Sequence, residues 1–103
     1  MKSLVQVSIV VAALGTMIGA GPAFAYTGQK YANEAKISMA HATQIALKAQ
    51  PGKITDRELE KEFGGSGLRY SFDVKTGNVT HEVGIDARTG KVLENSIEGA
   101  DAD

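Results

Sequence analysis

Cysteine is missing from this chain altogether. Its absence removes disulfides, a thiol nucleophile and a lipid anchor attached through cysteine. A surplus of one charge is missing too. Twelve acidic residues face 11 basic ones for a net charge of −1, a balance that does not draw a protein to nucleic acid or to an anionic membrane surface. Histidine occurs only as His41 and His81. A zinc site needs three or four ligands, and no spacing in the sequence supplies the others, so neither a metal site nor a cofactor is expected. The glycine-rich stretch Gly64-Gly65-Ser66-Gly67 lacks the lysine and the following helix of a phosphate-binding loop. Ser71, His81 and Asp73 can be named as a nucleophile, base and acid, but strand alternation puts His81 on the opposite sheet face from the other two. No catalytic residues are therefore expected, and the chain reads as a non-enzyme.

Beyond the N-terminus no apolar run is long enough to cross a bilayer. The N-terminus itself reads MKSLVQVSIVVAALGTMIGAGPAFAY. Lys2 gives a basic start, Leu4 to Ala20 an apolar core, Gly21-Pro22 a helix break and Ala23-Phe24-Ala25 a small-residue cleavage site. Residues 1–25 are expected to be a secretory signal, leaving Tyr26 as the mature N-terminus of a periplasmic or secreted protein. The remainder is short enough for one domain with a small core.

Residues 26–36 are polar, without a clear period, and are expected to form a flexible leader. From Ile37 to Gln50 the pattern is helical. Ala42, Ile45, Ala46 and Ala49 share one face, Ser38 is placed to cap the N-terminus, and Pro51-Gly52 ends the helix. After Pro51 the period becomes two. Lys53 to Phe63 is a charged strand candidate. Ile54 and Leu59 have opposite parity, so either a bulge separates them or Ile54 precedes the strand. Leu68, Tyr70, Phe72 and Val74 alternate with polar residues in the clearest strand, and Val79, Val83 and Ile85 mark a third. Asp86 to Gly90 reads as a tight turn, followed by a short strand at Lys91 to Leu93. Residues 95–103 read as an acidic tail. The sum is an α+β domain, an N-terminal helix packed on an antiparallel three- to four-stranded meander.

The helix with its Pro51-Gly52 stop, the charged strand at Leu59-Glu60, the strand Tyr70-Ser71-Phe72-Asp73-Val74 and the turn Asp86-Ala87-Arg88-Thr89-Gly90-Lys91-Val92 together resemble a PepSY domain, over about residues 37–94. His41 stands where that family often has a Glu completing a capping box with Ser38. The resemblance implies a module like those in the propeptides of secreted metallopeptidases, where they assist folding and inhibit. It brings no catalytic motif. The expected function is an exported non-catalytic binding module that inhibits or modulates an envelope or secreted peptidase. The alternative is an envelope sensing or structural protein that binds a small ligand, a peptide or a metal. The charged run around Arg57, Glu58 and Glu60 is the expected partner-binding surface, because a strand edge can add to a partner's sheet.

Overall fold

The computed structural model describes residues 25–99. The expected secretory segment, except for Ala25, lies outside them. Helix α1 spans Met39–Ala49, and strands β1 Lys53–Lys61, β2 Leu68–Thr76, β3 Val79–Asp86 and β4 Val92–Ile97 follow it. The strands pair antiparallel in chain order. The domain is α+β: one short helix covers one face of a four-stranded meander.

Ser38 starts α1 as its sequence suggests, its hydroxyl accepting from the His41 backbone N–H at 3.0 Å. Ala42 and Ala46 are fully buried. Their small side chains let the helix approach the sheet closely, against Leu68, Tyr70, Phe72 and Val74 of β2, Val83 and Ile85 of β3, and Leu59 of β1. The parity conflict in β1 is settled by a bulge. The register shifts between Ile54 and Asp56, so that Ile54 pairs with Val74 and Leu59 with Tyr70, both on the covered face. The buried Tyr70 hydroxyl donates to the Ile37 carbonyl at 2.8 Å. Burial, reinforced by the neighbouring Tyr26, pushes that hydroxyl's pKa up to about 12.

Further detail emerges at three places. In the segment expected as a leader, residues Gln29–Glu34 form a 3-10 helix, Thr27 bridges Glu58 in parallel, and the Tyr26 ring meets Tyr70 edge-on at 6.4 Å. Gly28 makes this approach possible, since a Cβ there would collide with the Leu59 carbonyl and its φ is +86°. β4 continues through Ile97, into the stretch expected as an acidic tail, with Gly84 opposite Glu94 and Glu82 opposite Ser96. Val79 is 39 % exposed and stays out of the core. It sits at the β2–β3 hairpin end, where Lys75, Thr76 and Asn78 are exposed as well.

Candidate functional site: the uncovered acidic sheet face

Alternation that sends apolar side chains under α1 sends their neighbours to the other side of the sheet. That side has no covering element among the described residues. Pairing places Glu58 beside Ser71, Glu60 beside Arg69 and Asp56 beside Asp73. Across the next interface Asp73 pairs with Glu82, and across the last Gly84 pairs with Glu94. The result is a shallow groove of about 270 Å³ lined by Asp56, Glu58, Glu60, Glu62, Asp73, Glu82 and Glu94, with Arg69 as the one cation in its wall among the described residues.

Arg69 holds this face together. Its side chain is only 12 % exposed and reaches Glu94 at 3.3 Å and Glu62 at 3.8 Å. It lies across Gly84, where a Cβ would come within 3.0 Å of the Arg69 Cδ. Glycine in the middle of β3 therefore makes room for a cation running from β2 to β4. Glu60 accepts from the Ser71 hydroxyl at 2.6 Å. One guanidinium does not offset all the surrounding carboxylates, and at three of them ionisation is opposed. Partial burial, then Glu60 and Asp56, raise the pKa of Glu58. Partial burial, then Glu98 and Asp56, raise Asp73. Partial burial, then Glu94, Glu98, Asp73 and Glu60, raise Glu82. Each follows from desolvation and like charge opposing the ionised form.

Of the residues expected from sequence to meet a partner, Glu58 and Glu60 lie together on this face. Arg57 does not join them. It pairs with Phe72 on the covered side, at the rim near Tyr26 and Thr27. Adjacent strand residues point opposite ways, so the Arg57 side chain faces away from those of Glu58 and Glu60. His81 pairs with Val74 at the margin of the core, and His41 is exposed on α1. Ser71 and Asp73 are on the open face, away from His81. The one group of three potential metal ligands among the described residues contains neither histidine. It is Asp73, Glu82 and Glu98, with carboxylate oxygens within 4.8 Å of one another, a donor set suited to a hard cation such as calcium.

The sequence reading passed over Asp73, Glu82 and Glu94 as partners of Glu58 and Glu60. The signal was present in the polar half of the same alternation that identified the core. It also passed over Asp86. That carboxylate is buried at 1 % exposure and accepts from the Ser66, Arg88 and Thr89 backbone N–H groups and the Ser66 hydroxyl. It ties the β1–β2 loop to the β3–β4 turn beneath one end of the open face.

Compared with known proteins, the family model described as "Peptidase propeptide and YPEB domain" matches residues 36–95. No curated protein and no solved structure matches the chain.

Proposed function

The chain belongs to the PepSY family, and from that premise we propose that it is an exported, non-catalytic binding module that inhibits or modulates an extracytoplasmic peptidase. Domains of this family are peptidase-propeptide and inhibitor-type modules, generally without catalysis, and occur in extracytoplasmic proteins. The N-terminal pattern of Lys2, an apolar core and Ala23-Phe24-Ala25 supports export to the periplasm or beyond. The observation that carries the reading is the uncovered, acidic sheet face. A four-stranded sheet with one face buried is a rigid platform, and a groove of unneutralised carboxylates favours a cationic protein surface. Glu58 and Glu60 are the proposed contacts, and Arg57 contributes where a partner wraps over the β1 rim.

The test is an activity assay on extracytoplasmic peptidases from the producing cell, with the purified chain added. A dose-dependent change in hydrolysis is expected, weakened when Glu58 and Glu60 are replaced by Lys. Unchanged hydrolysis across those peptidases refutes the reading. A second reading, binding of a hard cation, is favoured by the grouping of Asp73, Glu82 and Glu98. Calorimetry with calcium decides it: no heat of binding, and no rise in melting temperature, removes it.

A further inference from the structure

The two edges of the sheet are unlike. The outer edge of β1 is met by the chain's own leader, where the Thr27 carbonyl accepts from the Leu59 N–H at 2.8 Å. Among the described residues β4 pairs only with β3. Just beyond β4, the Glu98 N–H donates to the Thr80 carbonyl at 2.7 Å. That bond fixes the alternation of an antiparallel ladder. Glu94 and Ser96 direct their backbone groups toward β3, while Asn95 and Ile97 present N–H and C=O outward. Among the described residues no backbone group meets them.

The side chains along this edge sort by face. Val92 and Ile97, opposite Ile85 and His81, lie on the helix side yet are 41 % and 52 % exposed. α1 does not reach far enough to cover them. On the other side stand Glu94 and, past the strand end, Glu98 beside Asp73 and Glu82. β4 contains neither Lys nor Pro, two of the common means by which an edge repels an added strand.

We propose that β4 accepts an extended segment of another protein as a fifth strand, with side chains alternating between apolar and basic. The incoming backbone pairs with Asn95 and Ile97, its apolar residues cover Ile97 on the helix side, and its Lys or Arg residues meet Glu94 and Glu98 on the other. Charge selects this occupant over a second copy of the chain, since β4 against β4 sets carboxylates of one copy against those of the other. The proposal rests on the reading as a protein-binding module and adds to the contacts at Glu58 and Glu60 a second one on β4, at the opposite edge of the sheet.

Amide hydrogen exchange of the chain, read residue by residue, tests it with a synthetic peptide of about eight residues, a strand's length, alternating Lys and Val. Exchange at Asn95 and Ile97 is expected to slow by about tenfold or more, with β1 amides unaffected. A Glu/Val peptide of the same length gives no protection. Ile97→Lys, at a half-exposed position, abolishes the effect while the melting temperature holds. Unprotected Asn95 and Ile97, equal protection by the Glu/Val peptide, or protection that rises with protein concentration alone each overturn the proposal, the last in favour of a second copy. A peptidase slowed by the chain while Asn95 and Ile97 exchange freely in the complex removes the β4 proposal and leaves the peptidase reading standing. Protection by the peptide without any responsive peptidase does the reverse.

Discussion

The Asp86 carboxylate is buried, and burial alone would raise its pKa. The hydrogen bonds from Ser66, Arg88 and Thr89 outweigh that effect and hold it at about 2. A carboxylate held below its usual range stabilises the fold above the ordinary carboxylate pKa, near 4, and loses that contribution as pH falls toward 2. Asp86→Asn should therefore cost roughly 2 kcal/mol at pH 7, read by urea unfolding, and the difference from the parent should shrink below pH 4. An unchanged midpoint at pH 7 would contradict the account of the two loops. Glu82 has the opposite sign. Its pKa is raised by burial and by carboxylate neighbours, so its charge opposes folding once it ionises. Glu82→Gln should raise the melting temperature at neutral pH, and the gain should vanish at acidic pH, where Glu82 is already protonated. A variant that melts below the parent at pH 7 would contradict the electrostatic reading of the open face.

At the scale of elements, α1 and the two central strands carry the domain. Phe72 is 2 % exposed at the centre of β2, and Phe72→Ala should cost roughly 3–5 kcal/mol, enough to unfold much of a domain this small. Thermal melting checks it, and parent-like melting would remove Phe72 from the core. Gly90, at φ +80° and facing Ile45 and Ile37, closes the β3–β4 turn, so Gly90→Val should lower the melting temperature through backbone strain. These elements were legible in sequence because each carries a strong local signal: a capping Ser38, a Pro51-Gly52 stop, and clean alternation from Leu68 to Val74. The leader and the end of β4 were not legible. Thr27 is held by a backbone bridge to β1, and Gly28 acts by having no side chain, neither of which gives a periodic pattern. In β4, Glu94, Asn95 and Ser96 have weak strand propensity and pair because β3 presents a ladder to them, a tertiary effect that overrides composition.

For the molecule as a whole, the sequence indicated a charged strand but not the acidic face of which it forms a part. Glu58 and Glu60 were legible as part of a charged run in one strand. Asp73, Glu82 and Glu94 come from three other strands, and only the register brings them to the same groove. Arg57 was grouped with Glu58 and Glu60 by adjacency in the chain, while adjacency in a strand separates side chains onto opposite faces. The resulting shape, a helix-backed sheet with one acidic side and, among the described residues, one unpaired edge, suits a protein that acts by contact. The central claim is that this side recognises a peptidase, and the rate of peptide hydrolysis tests it most directly. Extracytoplasmic peptidases of the producing cell would be titrated with the parent chain and with a Glu58→Lys, Glu60→Lys variant shown to melt as the parent does. The parent is predicted to change the rate in a saturable way, and the variant to need a concentration about tenfold higher or more. No response to the parent, or equal potency of parent and variant, would contradict the claim.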